Sequence, residues 1–183
     1  MVRAAILVVD MLRDFLEGPF AGPEAARLVP RLRTVLDRAR TLGIPVVFVC
    51  DAHGPDDPEF AVFPPHAIAG TPGAQVVEAL APLPTERVVQ KCRYSGFFAT
   101  DLEAALRDLR VDTLVLTGLQ TDCCVLHTAA DGFFRGFGIV ILEDAVAART
   151  REGGRWGLDQ ARRLYGARVC EAATFLEAAG AHG

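Results

Sequence analysis

Ala4-Ala5-Ile6-Leu7-Val8-Val9 runs apolar for six positions and stops at Asp10. A strand with one wet face alternates apolar with polar residues. A run that is apolar on both faces is what a parallel strand needs when helices cover both sides of its sheet. Runs of the same kind recur at 45–50, 87–90, 113–117, 139–142 and 168–170, with helical patterns between them. Leu32, Val35, Leu36, Ala39 and Leu42 share one helical face, and Gly43 supplies the C-terminal stop. Thr100-Asp101 opens a second helix, with Leu102, Ala105, Leu106 and Leu109 as its stripe. Thr121-Asp122 opens a third that runs to about Gly136, and 159–165 and 174–179 add two more. This alternation predicts a single α/β domain over 1–183, a parallel sheet with right-handed crossovers. The exception is 51–73, rich in Pro, Gly and acidic residues. An irregular stretch of that length inside a compact domain is usually functional.

Composition excludes several classes. Hydrophobic residues make up 51% and charged ones 23%, a globular rather than a disordered balance. The net charge is −4 with no basic block, so nucleic acid is not an expected partner. The opening MVRAAILVVD resembles a signal-peptide core only briefly, because Asp10 ends it and no A-x-A-like cleavage site follows. No stretch reaches the ~20 apolar residues of a membrane helix, so no membrane partner is expected. Five cysteines (Cys50, Cys92, Cys123, Cys124, Cys170) without framework spacing suit reduced thiols and a cytoplasmic location.

Three chemically capable residues stand where the apolar runs end: Asp10 after the first, Lys91 after the third, Cys124 after the fourth. Of the 19 basic side chains, 18 are Arg and one, Lys91, is Lys. Arg cannot replace a compact ammonium beside a nucleophile, although one lysine in an Arg-rich chain also arises by chance. In open parallel sheets, ligands bind at the carboxyl ends where the strand order reverses. If the order is 3-2-1-4-5-6, Asp10 and Cys124 flank that crevice. Cys124, in the first turn of a helix and near a lysine, is expected to favour its thiolate. A carboxylate beside it could take the thiol proton and pass it to a leaving amine. These arguments do not separate Cys124 from Cys123. His127, one helical turn beyond Cys124, is either a rival base or a residue hydrogen-bonded within the helices. Asp14 is expected to organise the loop after the first strand.

Val8-Val9-Asp10-Met11-Leu12-Arg13-Asp14-Phe15 resembles the V-(I/V)-D-M-Q-x-D-F opening of isochorismatase-like cysteine hydrolases, with Leu12 where Gln is usual. Lys91-Cys92-Arg93-Tyr94-Ser95-Gly96-Phe97 is similar to the lysine segment of that family. Thr121-Asp122-Cys123-Cys124-Val125 resembles its T-D-x-C-V nucleophile segment. The resemblance implies a three-layer fold with six parallel strands in the order 3-2-1-4-5-6. It implies an Asp10–Lys91–Cys124 triad that forms a thioester. It also implies a cis peptide bond between Leu119 and Gln120, with the N–H groups of Gln120 and Cys124 as oxyanion hole. The register makes Cys124 the nucleophile and Cys123 a pocket residue. Isochorismatases proper lack this cysteine, so its presence implies amide hydrolysis.

The 51–73 loop carries Asp51-Ala52-His53, then Glu59 and His66. Mixed His and carboxylate ligands suit Zn, Mn or Fe, and a D-x-H at a strand end points both side chains to one mouth. A solvated acidic loop explains D-x-H alone as well. Nicotinamidases have D-x-H at this point, a third ligand, and a W-P-x-H that Phe63-Pro64-Pro65-His66 resembles. That similarity implies one divalent ion, Zn first, on Asp51, His53, Glu59 and His66, and no organic cofactor. Phe15 and Phe63 could clamp a flat ring, with Tyr94 and Cys123 completing the pocket. Ala52, Phe63 and Gln120 depart from the usual residues at their positions. The expected reaction is cleavage of a small amide, nicotinamide to nicotinate and ammonia, a step of NAD salvage. The alternatives are a carbamoyl or ureido amidase without metal, or a non-catalytic binding protein on this fold. A homo-oligomer is the expected assembly.

Overall fold

The computed structural model describes residues 3–181. Six strands are present: β1 (Ala4–Val9), β2 (Val46–Asp51), β3 (Arg87–Lys91), β4 (Thr113–Leu119), β5 (Gly138–Ala147) and β6 (Arg168–Cys170). All neighbouring pairs are parallel and the order is β3-β2-β1-β4-β5-β6. The fold expectation is met. β1 is central and all but its first residue are buried, which is why its run never turns polar.

The pleat divides β1 between two cores. Ile6 and Val8 pack with Phe48, Val115 and Leu142 beneath helices α2 (Pro23–Thr41) and α6 (Ala172–Gly180). Ala5, Leu7 and Val9 pack with Val47, Val49, Leu114 and Leu116 on the opposite face. That face is covered by α3 (Leu102–Asp108), α4 (Leu126–Phe134) and α5 (Arg151–Tyr165). Among the described residues, no helix is long and apolar enough to cross a membrane.

Several boundaries differ from the sequence reading. A short helix, α1 (Arg13–Leu16), follows β1, too brief to show a stripe of its own. α5 begins at Arg151 rather than near 159, because the Thr150 hydroxyl caps it by accepting the Gly153 N–H at 3.0 Å. At α3 the side-chain acceptor is Thr100, 3.2 Å from Leu102 N, while the Asp101 carboxylate pairs with Arg87. The 51–73 loop is partly regular, with 3-10 turns at Pro58–Ala61 and Pro72–Ala74 and a parallel bridge from His53 to Ile68. Asp51 and Lys91 are the last residues of β2 and β3 and are paired in register.

Candidate active site

At the end of β1 the chain turns through Asp10 with φ 50, a conformation that Asp tolerates better than most side chains. Asp10 is fully buried, and its Oδ1 accepts the Asp51 N–H at 2.8 Å. Lys91 Nζ lies 2.8 Å from Asp10 Oδ2, donates to Asp51 Oδ1, and stands 3.6 Å from Cys124 Sγ. The contact with Oδ2 is an ion pair without hydrogen-bond alignment, and this oxygen has no hydrogen-bond partner among the described residues. Asp10 and Cys124 each offer an atom to a cluster whose members lie within 4.8 Å of one another. One ammonium is thus shared by two carboxylates and a thiol.

Burial and then the Asp51 charge push the Asp10 carboxyl up to about 6, against the pull of Lys91. Burial works against charging Lys91, but Asp10, Cys124 and Asp51 outweigh it and hold the ammonium well above its ordinary value. The Cys124 thiol is pushed well up, first by the neighbouring Cys123 side chain, which hydrogen-bonds it, and then by burial; Lys91 opposes both. Burial and the Cys123 contact thus oppose the thiolate that the helix start and Lys91 favour.

The nucleophile turn explains how Cys124 is aimed. Residues Thr121–Val125 form a π-type turn ahead of α4. The Gln120 carbonyl accepts from Cys123 N–H at 3.0 Å and Val125 N–H at 3.1 Å, passing over the Cys124 N–H between them. The Leu119–Gln120 peptide bond is cis. Two glycines allow this turn to pack. Gly118, with φ +95, lies so close to β1 that a Cβ would stand 2.1 Å from Val9 O. Gly157 of α5 would meet Thr121 O at 2.8 Å.

Asp51, His53 and His66 are all buried, and their ligand atoms lie within 4.8 Å of one another. His66 Nδ1 donates to the Pro64 carbonyl at 2.8 Å, which leaves the Nε2 lone pair 3.8 Å from Asp51 Oδ2. His53 Nε2 is 3.6 Å from the same oxygen and has no hydrogen-bond partner among the described residues. Two imidazole lone pairs converging on one carboxylate oxygen, one orphaned in the interior, are a donor set suited to a divalent cation. Burial disfavours protonating both rings, yet Asp51 outweighs it and raises both above the ordinary histidine value, so the cluster attracts positive charge. Glu59 groups with His53 and Asp57 rather than with this trio.

A cleft of about 310 Å³ opens over these groups, lined by Phe15, Phe63, Tyr94 and Cys123, all four of the expected pocket residues. Asp51, Glu59, His66, Gln120 and Cys124 also face it. Phe15 does not oppose Phe63 directly. It stacks at 5.2 Å on Phe20, which meets Phe63 and His66 edge-on at 5.9 Å and 4.7 Å. Phe20, Asp122 and Arg149 line the cleft without having been expected there. Arg149 follows β5 in a stretch with no pattern to single it out. His127 is exposed and its Nδ1 donates to Cys123 O at 2.8 Å, which fits the hydrogen-bonded reading of the two. Asp14 Oδ2 accepts the Ala67 N–H at 2.8 Å and ties α1 to the loop, as expected. A wider groove of about 670 Å³, at the far end of β2 and β3, holds none of this chemistry.

An Isochorismatase domain model matches residues 4–174. The chain belongs to the isochorismatase family. It is 37% identical over 183 residues to an isochorismatase family protein PncA of Bacillus subtilis, covering 93% of this chain and all of that one. The crystal structure of N-carbamoylsarcosine amidase from Thermoplasma acidophilum superposes with a TM-score of 0.88 at 42% identity, over 93% of this chain and 97% of that one. A pyrazinamidase of Pyrococcus horikoshii in complex with zinc gives 0.87 at 28% identity, over 92% and 99%. Membership makes the chain a hydrolase of a family that acts on amides, and the relatives differ in the amide they are named for.

Proposed function

We propose that this chain is a cysteine amidohydrolase that cleaves a small amide through a thioester on Cys124. The observation that carries the reading is Lys91 Nζ held between Asp10 and Cys124, at 2.8 Å and 3.6 Å. Asp10, ionised, takes the Sγ–H proton, and the Lys91 ammonium stabilises the thiolate as it forms. Sulfur attacks the carbonyl carbon, and the oxyanion is received by the N–H groups of Gln120 and Cys124. Asp10 returns its proton to the leaving nitrogen, the C–N bond breaks and ammonia departs. Water, deprotonated by Asp10, then attacks the thioester. The acid leaves and the thiol is restored.

Asp51, His53 and His66 would hold a divalent cation, with Glu59 reaching it through water. When bound, it supplies a positive site for a substrate lone pair and ordered water. That donor set and the aromatic shelf favour nicotinamide, whose ring nitrogen is such a lone pair, as the first substrate. A second reading, a carbamoyl or ureido acid, is favoured by Arg149. Arg149 has no carboxylate partner among the described residues, and its Cζ is 5.9 Å from the Phe20 ring centroid. A guanidinium at a cleft is suited to a substrate carboxylate. Ammonia release across neutral and anionic amides, with and without chelator, tests both. Nicotinamide turnover that falls on chelation supports the first, and chelator-resistant turnover of anionic ureido compounds supports the second. No ammonia from any amide would overturn the proposal. A cytoplasmic homo-oligomer remains part of it, testable by sedimentation.

A further inference from the structure

Asp57 lies outside the cleft, and the reaction as described does not use it. Three elements nevertheless converge on its carboxylate. His53 Nδ1 lies 3.2 Å from Oδ2, the Glu59 N–H donates to Oδ1 at 2.9 Å, and Arg93 Nη1 reaches both oxygens at 3.0 Å. A carboxylate only accepts, so the His53 proton resides on Nδ1 and the lone pair is left on Nε2. That Nε2 is the buried nitrogen with no hydrogen-bond partner that faces Asp51. Arg93 comes two residues after Lys91 and also contacts the Cys92 carbonyl, so Asp57 fastens the 51–73 loop to the end of β3.

The geometry points to Asp57 as a positioning residue that sets the tautomer and direction of His53, and fixes Glu59, for a divalent cation, with Arg93 as its anchor. The inference rests on reading Asp51, His53 and His66 as a cation site. A carboxylate behind a ligating imidazole orients the ring and raises its basicity, and losing it typically costs about 10–100-fold in metal affinity. Arg93 makes the arrangement stiffer, because Asp57 could otherwise swing out to water with the Pro58–Ala61 turn that it caps.

The test is a Zn²⁺ competition titration against a chromophoric chelator on the full chain, comparing wild type with Asp57→Ala, Asp57→Asn and Arg93→Gln. Asp57→Ala should bind Zn²⁺ about 10–100-fold more weakly. Asp57→Asn keeps an acceptor for Nδ1–H and should recover much of the loss, and Arg93→Gln should weaken binding by a smaller factor. Melting with excess chelator and with Zn²⁺ separates this from a merely structural role: loss of the cap and the Arg93 pair lowers both melting temperatures alike, whereas the proposed role also shrinks the increment produced by Zn²⁺. Unchanged Zn²⁺ affinity in Asp57→Ala overturns the inference while leaving the cation site standing. A wild type that binds no Zn²⁺ overturns both. If Asp57→Ala does not fold, Arg93→Gln carries the test, and affinity equal to wild type refutes the anchor.

Discussion

Replacing Lys91 by Arg keeps the charge and changes only its shape. Lys91 is 2% exposed, and its ammonium is shared among Asp10 at 2.8 Å, Asp51, and Cys124 at 3.6 Å. Three partners around one nitrogen suit a compact, freely rotating donor. A planar guanidinium directs its N–H groups into a single plane and is too wide for the space. Overpacking a buried site costs about 1–3 kcal/mol. For a chain of this size, that lowers the melting temperature by roughly 2–4 °C per kcal/mol. The chemical loss is larger than the stability loss. A displaced cation leaves Asp10 and Asp51 to repel each other, and that repulsion helps hold the Asp10 carboxyl at about 6. Asp10 then keeps its proton at neutral pH and cannot accept the thiol's. General-base action contributes about 10²–10⁴-fold, so turnover should fall at least a hundredfold. Ammonia release at pH 7.5, with melting curves for both proteins, measures the two effects separately. Turnover within a few-fold of wild type would refute the argument and make the single lysine a coincidence of composition.

Two further outcomes follow from the same electrostatics. Asp10 must be ionised to accept the thiol proton, so kcat/KM should rise with pH through about 6 and level above it. A cation on Asp51 offsets the charge that helps raise Asp10, so the metal-free enzyme should show its acidic limb at higher pH than the loaded one; a flat profile across this range removes Asp10 as the base. His53 and His66 have raised values, and protons compete with metal for their lone pairs. Metal affinity should therefore fall steadily as pH drops below neutrality, and chelation should raise KM more than it lowers kcat. Affinity independent of pH in a titration calorimeter, or loss of kcat alone, counts against the site as described.

The layers of the fold were legible because burial leaves a plain mark. β1 lies between two helical layers, and its six residues are apolar without alternation. The residues of the proposed triad were legible as candidates because each stands at a strand end or helix start, with motif spacing around it. Two kinds of information were not local enough to read. α1 spans Arg13–Leu16, a single turn with no period to detect, and it is held by Asp14 bonding to Ala67, far along the chain. Phe20 and Arg149 reach the cleft from loops that only the tertiary fold brings together. Asp57 did carry a signal, an Asp directly before a Pro at the start of a turn, which reads as a cap. Its second partner, His53, is visible only in three dimensions. The surroundings of Cys124 were only half legible for a related reason. The sequence shows a helix start and a lysine, but not the Cys123 contact and the burial that oppose them.

The central claim is that Cys124 carries the acyl group. Protein quenched in acid during turnover, digested and mapped by mass spectrometry, reports this directly, because a thioester survives at low pH. The account predicts the substrate's acyl mass on the peptide spanning Thr121–Val125, with fragment ions assigning it to Cys124. It predicts that Cys124→Ala abolishes both the adduct and ammonia release, whereas Cys123→Ala retains both. An adduct on Cys123, or a Cys124→Ala protein that still turns over, would contradict it.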